Sequence, residues 1–206
     1  MRAGLSFVFS LLCEFSGRLV RPAFFILKMT SFLIPERAES ARLILRMFRE
    51  EDWQAMHAHY ADPDSTRYTL GRTLSEGESW RLTATLAGHW LLRGYGPYAL
   101  EAKADGRVLG TVGLWHPVDF PEREIKWALH HAARGLGYAS EAARVVQRLA
   151  AAAFPGVPPI SFIDRDNAAS IRVATSVGAC LESETDFRGR RFQVFRHPSM
   201  DAAVHQ

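Results

Sequence analysis

Residues 134–139 read Arg-Gly-Leu-Gly-Tyr-Ala and stand between two strongly patterned segments. Residues 123–129 before them alternate as a strand does, and the stretch after them carries the clearest helical pattern in the chain. Tyr138, Ala142, Val145, Val146, Leu149 and Ala153 line one helix face, with Glu141, Arg144, Gln147 and Arg148 opposite. A glycine-rich turn from strand to helix leaves consecutive backbone N–H groups at the positive end of the helix. That makes an anion site suited to a phosphate or pyrophosphate.

The elements around this unit can be read along the chain. Residues 42–47 alternate and predict an opening strand. Trp53, Met56, His57 and Tyr60 then fall at helical spacing. Ser75 and Glu78 have capping-box spacing, and Trp80, Ala84, Ala87 and Leu91 continue that helix on one face. Residues 98–103 and 108–115 are strands about the hairpin signal Asp105-Gly106. Pro155, Pro158 and Pro159 end the helix that follows the glycine loop, and residues 160–163 form a short apolar strand. Asn167 begins a helix that stops near Gly178, and two strands flank Arg188-Gly189-Arg190. The order β-α-α-β-β-β-α-β-α-β-β describes a mixed α/β domain.

Length and composition are consistent with one domain: 206 residues, 48% hydrophobic, 23% charged. Two cysteines, Cys13 and Cys180, supply neither a disulfide framework nor a metal cluster, which favours a reducing, cytoplasmic setting. The formal charge of +3 resides in residues 1–28, leaving the rest neutral. No basic footprint is visible, and no nucleic-acid partner is expected. Residues 1–28 carry a short apolar run from Leu5 to Cys13 that is too short to span a bilayer and lacks a signal-peptide cleavage site. They are read as an extension, either disordered or added by an upstream start ahead of Met29, with a membrane-surface anchor as the alternative. No membrane partner is expected. The domain is assigned to residues 29–198 and a tail to 199–206.

Three glycine-loop chemistries compete for residues 134–139. A P-loop ends in Gly-Lys-Ser/Thr, and here the residues are Gly137-Tyr138-Ala139. A dinucleotide fingerprint needs Gly or Ala where Ser140 stands, and an acidic residue on the following strand. The third is an acyl-CoA loop of pattern Arg/Gln-x-x-Gly-x-Gly/Ala, matched by Arg134, Gly137 and Ala139. On these residues the chain resembles the GNAT superfamily of N-acetyltransferases. Gly137-Tyr138-Ala139-Ser140-Glu141-Ala142 is similar to the branch that includes ribosomal-protein N-terminal acetyltransferases. Asp166-Asn167-Ala168-Ala169-Ser170 with Gly178, and the opening Ala41-Arg42-Leu43-Ile44-Leu45-Arg46, resemble further landmarks of that branch. The resemblance covers about residues 40–197.

The resemblance implies a single α/β domain with a mixed central sheet of six to seven strands, splayed central strands and flanking helices. It implies acetyl-CoA as co-substrate, with no metal, and direct attack by an amine in a ternary complex. The pyrophosphate would lie on Arg134, Gly135, Leu136, Gly137, Tyr138 and Ala139. The pantetheine arm would pair with backbone between Trp127 and Leu129, where an N–H could also serve the oxyanion. Asn167 would reach a pantetheine amide or simply cap its helix. Ser170 is a candidate acid for the departing thiolate, or a back-bonding serine. Many relatives carry a tyrosine where this chain has Ala174, so a catalytically degenerate CoA-binding or sensing domain is the alternative function.

Glu124 is the first candidate base, against a simple ion pair with Arg123 or Lys126. His116 is the second. His130 and His131 are read as surface residues. Trp80, Trp90 and Tyr95 either line an acceptor pocket or belong to the core. The acceptor is expected to be a peptide N-terminus or a small amine. An α-amine of pKa ~8 is about one-tenth neutral at pH 7, whereas a lysine of pKa ~10.4 is neutral only about once in 2,500 molecules. The protein is expected to be a monomer or a homodimer.

Overall fold

The computed structural model describes residues 31–199. The extension at 1–28 and nearly all of the 199–206 tail lie outside the described residues.

Thirteen elements follow one another: β1 (Arg37–Glu39), β2 (Leu43–Arg46), α1 (Asp52–Tyr60), α2 (Pro63–Thr66), α3 (Glu76–Arg93), β3 (Pro97–Ala102), β4 (Val108–Trp115), β5 (Glu124–Leu129), α4 (Tyr138–Ala153), β6 (Ile160–Asp164), α5 (Ala168–Ser176), β7 (Cys180–Phe187) and β8 (Arg190–Arg196). The strands form one sheet in the order β1-β2-β3-β4-β5-β6-β8-β7. The eighth strand, beyond the six to seven expected, is β1. Its three residues, Arg37-Ala38-Glu39, alternate but are too short a run to mark a strand by periodicity, and β1 pairs antiparallel with β2.

Every neighbouring pair is antiparallel except β5 and β6, which run parallel and share a single register pair, Glu124 with Ile160. The Ile160 N–H still reaches the Arg123 carbonyl at 3.0 Å. Beyond that point the strands part, and side chains replace the missing backbone bonds. Ser161 Oγ donates to the Ile125 carbonyl at 2.7 Å. The Glu124 carboxylate accepts from the Phe162 N–H at 3.3 Å. Ser161 in turn accepts from His197 Nε2 at 2.8 Å, and His197 Nδ1 accepts from Gln147 Nε2 at 2.8 Å. With Ser161 donating to a carbonyl, this tautomer is the one that satisfies every group. His197 is buried, and burial pulls its pKa down to about 4, so it stays neutral in this chain of bonds. The splay expected between the central strands is present, and it is wedged by Glu124 and Ser161.

The main core lies between the sheet and α4. Leu43, Leu45, Leu100, Val112 and Ile125 meet Ala139, Ala142, Ala143, Val146 and Ala150 of the helix. The alanines let the helix approach closely. Gln147, expected on the polar face of α4, is buried instead, where it donates to the Val177 carbonyl and to His197. α3 also departs from the expected orientation. Its capping box at Ser75 and Glu78 forms. However, Trp80 and Leu91 of the expected apolar face are 51% and 68% exposed, and the buried face carries Ser79, Thr83, Leu86 and Trp90. The buried hydroxyls are tolerated because Ser79 and Thr83 each donate to the carbonyl four residues back. Trp90 and Tyr95 belong to the core.

Arg46 fixes α1 to the sheet. Its buried guanidinium makes bidentate bonds to Asp52 at 2.7 and 2.9 Å and a third to Glu101 at 2.6 Å. Among the described residues no helix is long and apolar enough to cross a membrane.

Candidate active site

The gap left by the parting of β5 and β6 opens into two adjoining clefts. One, of about 440 Å³, runs from the glycine loop to α5 and is lined by Leu129, Arg134, Gly135, Gly137, Tyr138 and Ala139 among others. The second, of about 320 Å³, lies on the far side of the gap, against Glu124, Lys126 and the closing strands. Trp127, Ala128, Asn167 and Ser170 line both, with His59 and Tyr68 opposite. An acyl group held at this junction would be reachable from either side.

The glycine loop enters α4 through two glycines in the left-handed region. Gly135 and Gly137 have φ of 75° and 80°, in the left-handed region that side-chain-bearing residues avoid. A Cβ on Gly135 would meet no protein atom, so backbone conformation, rather than room within the protein, demands glycine there. Gly137 is the N-cap of α4 and offers no side chain to the first-turn amides. Those N–H groups are therefore left for a ligand or water. Arg42 Nη1 donates to the Leu136 carbonyl at 3.1 Å. Its guanidinium also lies 4.5 Å from the centre of the Tyr138 ring and pairs with Glu141 at 2.7 Å. Leu136 itself is 54% exposed and lies outside the cleft lining.

Arg134 lines the cleft and is also held by protein partners. Its Nε donates to the Leu129 carbonyl at 3.2 Å and its Nη2 to Ser65 Oγ at 2.5 Å. These bonds tie the loop to β5 and α2. Arg172 on α5, which no sequence signal marked, lines the same cleft without an ion-pair partner among the described residues.

β5 presents its free backbone to the gap. The His130 N–H bonds to Leu109 of β4, while Arg123 faces β6. Alternation therefore turns Ile125, Trp127 and Leu129 towards the opening. Ser161 occupies the Ile125 carbonyl and Arg134 the Leu129 carbonyl, leaving the Trp127 amide and the Leu129 N–H.

Asn167 caps α5 through Oδ1, which accepts from the Ser170 N–H at 3.1 Å. Its side-chain nitrogen makes no hydrogen bond among the described residues. Ser170 is half-buried at the junction, and its Oγ accepts from Trp127 Nε1 at 3.2 Å. The hydroxyl proton is thereby free to point elsewhere. Ala174, one turn on, is fully buried against Ile163, Ala179 and Phe195. Position 174 therefore supplies no hydroxyl, and Ser170 is one of several hydroxyl-bearing residues that line the clefts, with Tyr68 and Thr69 among the others.

Glu124 is 6% exposed and forms no ion pair among the described residues. Burial pushes its carboxyl pKa up to about 7; nearby Lys126 and the Phe162 N–H pull the other way. The same burial lowers the pKa of Lys126, whose ammonium sits 5.0 Å from the Trp115 ring centre. His116 lines neither cleft. His130 is half-buried, its ring set edge-on to His59 at 5.9 Å, while His131 is exposed. His59, unmarked by the sequence, is buried with neither ring nitrogen hydrogen-bonded. Burial and the nearby His130 and Arg134 lower its pKa to about 4.

Comparison with known proteins finds a matching family and solved structures of similar fold. The family described as acetyltransferase (GNAT) domain matches residues 42–179. An acetyltransferase from Agrobacterium tumefaciens superposes with a TM-score of 0.71 at 27% identity, over 80% of this chain and 95% of that one. A GNAT-family acetyltransferase from Bacillus anthracis gives 0.66 at 19% identity, over 78% and 96%. The ribosomal-protein-S5-alanine acetyltransferase of Vibrio fischeri gives 0.65 at 14% identity, over 82% and 99%, a likeness of fold.

Proposed function

This chain belongs to the acetyltransferase (GNAT) domain family, and from that premise we propose that it moves an acetyl group from acetyl-CoA to a primary amine by direct attack in a ternary complex. The observation that carries this reading is the meeting of two clefts at Trp127 and Ser170, one leading to an anion-ready helix terminus and the other to a buried carboxylate. The amides of residues 135–139 and the start of α4 would hold the pyrophosphate, with Arg172 as a further cation. The Trp127 and Leu129 backbone and the Asn167 side-chain amide would hold the pantetheine arm. Acetyl-CoA supplies the acetyl group as an activated thioester.

Glu124 accepts a proton from the attacking amine. A carboxylate of pKa about 7 is well matched to an α-amine of pKa ~8, since such a transfer is nearly level in energy. The new N–C bond forms as the C–S bond breaks. A backbone N–H of β5 at the gap stabilises the oxyanion. Ser170 delivers its proton to the departing sulfur and recovers one from solvent. The need for a neutral nucleophile favours a peptide N-terminus or a small amine over a protein lysine. A ribosomal-protein N-terminus is one such acceptor, suggested by the motif 137–142 and by the Vibrio fischeri protein's fold.

Calorimetric titration of acetyl-CoA into the parent and into Gly137→Glu tests the reading. The glutamate brings negative charge to the anion site. Saturable binding by the parent, lost in a folded variant, is expected. Failure of the folded parent to bind would refute the reading. Binding without CoA release across an amine screen would favour the non-catalytic alternative that Ala174 first suggested.

A further inference from the structure

The second cleft has an unusual wall. Phe120 from the β4–β5 connection, Phe162 from β6, Phe187 from β7 and Phe192 from β8 converge on it. Phe162 and Phe192 stack at 4.9 Å and 13° between planes. Phe187 stands edge-on to Phe162 at 5.2 Å, and Phe120 edge-on to Phe187 at 5.2 Å. All four rings are half-buried, so part of each aromatic surface faces the cleft. A cluster that served only the core would close over itself; this one leaves a concave apolar surface.

The basic residues of the β7–β8 turn do not alter that character. Arg190 pairs with buried Asp164 at 2.5 Å. Arg188 pairs with Asp119 and lies 4.9 Å from the centre of the Phe187 ring. Both guanidinium groups are already matched, so neither calls for an anionic substrate. Lys126, on the same wall as Glu124, has no ion-pair partner among the described residues and opposes a second positive charge. The Glu124 carboxylate touches the backbone of Phe162 at 3.3 Å. Glu124 and the four rings line the same cleft, so an amine lying on Glu124 has aromatic surface within reach of its substituent. The volume, about 320 Å³, falls within the range of roughly 300–1,000 Å³ for small-ligand sites.

We infer that the acceptor is a primary monoamine carrying an aromatic or bulky apolar group near its nitrogen, seated on Phe120, Phe162, Phe187 and Phe192. The inference rests on the acetyl-transfer reading above. A small arylalkylamine and a peptide beginning with an aromatic or large aliphatic residue share this chemistry. Acceptors with a short polar group, or with a second amine, are selected against.

The test is CoA release from acetyl-CoA by the full chain with phenethylamine, ethanolamine and spermidine. A peptide arm compares two peptides that differ only in Phe or Ser at the first position. Burial of one phenyl group predicts a kcat/KM advantage of about thirtyfold over ethanolamine, with spermidine lowest. Whichever arm shows the higher kcat/KM identifies the source of the amine. Phe162→Ala should collapse the phenethylamine-to-ethanolamine ratio to within about threefold. Phe192→Leu, which preserves bulk while removing the stacked ring, should lower the ratio in the same direction if the alanine variant does not fold. Equal or better turnover of ethanolamine, spermidine or the Ser peptide overturns the inference and leaves acetyl transfer standing. So does an aromatic preference that survives in folded forms of both variants. Absence of CoA release with every amine defeats the acetyl-transfer reading itself.

Discussion

Replacing Glu124 by Gln separates two consequences of one buried carboxyl. The substitution keeps the size of the side chain and an oxygen that can accept from the Phe162 N–H, and exchanges the titrating oxygen for an uncharged NH2 group whose effect on stability does not vary with pH. In the folded protein the carboxyl titrates at about 7, against 4.5 for its ordinary value. The folded state therefore holds a proton that the unfolded chain releases between these values. Stability must fall as pH rises through that window. Below pH 4.5 both states are protonated and the parent is not penalised. Above pH 7 the full penalty applies, about 3 kcal/mol at 1.36 kcal/mol per unit. Urea unfolding of parent and Gln variant from pH 4 to 8 should show the variant gaining on the parent steadily, with nearly all the gain between pH 4.5 and 7. At pH 8 the difference corresponds to roughly 6–12 °C in Tm for a domain of this size. In the same variant kcat/KM should drop by roughly 10²–10⁴-fold and lose the rising limb near pH 7 that a catalytic carboxylate produces. A stability gap that stays constant with pH would refute the argument from burial. A gap that runs the other way would mean that Lys126 stabilises the ionised carboxylate more than burial penalises it. An unchanged pH–rate profile would remove Glu124 as the base.

Ser170→Ala should lower kcat by roughly 10- to 100-fold while leaving acetyl-CoA affinity nearly unchanged, because the cap on Asn167 uses the Ser170 backbone N–H; steady-state kinetics beside calorimetry separate the two. Arg172→Glu should weaken acetyl-CoA binding by about tenfold at low salt and by less at high salt, as expected for a charge near a polyanion; titration at two ionic strengths reads this directly. Arg46→Met should destabilise the fold by about 3–5 kcal/mol, because it leaves Asp52 buried and unpaired by charge; urea unfolding measures it.

Much of the frame was legible because it rests on local chemistry. The Ser75–Glu78 capping box and the Asn167 cap each form as their spacing implied. The strand, glycine turn and helix from residue 124 to residue 153 appear where the periodicities change. The loop's glycines carry the positive φ that a tight turn into a helix requires. Asn167 and Ser170 fall on one helix and reach the junction with Trp127, as their three-residue separation allowed. Less legible was what a side chain does with its hydrogen bonds. Arg134 belongs to the loop motif but bonds to Leu129 and Ser65. Gln147 has a polar name and a buried position because His197 and the Val177 carbonyl await it. Trp80 and Leu91 look like core from their spacing, yet the sheet meets the opposite face of α3.

The amino-acid sequence by itself determined the strand–loop–helix unit, the two landmark segments and hence the kind of domain. These depend on residues within a few positions of one another, where periodicity, capping and backbone freedom act without reference to the rest of the chain. The tertiary structure alone decided the raised pKa of Glu124, the free face of β5 and the convergence of Phe120, Phe162, Phe187 and Phe192. Desolvation and concavity depend on what packs against a residue, and here the packing partners come from strands joined only when the sheet closes in the order β5-β6-β8-β7.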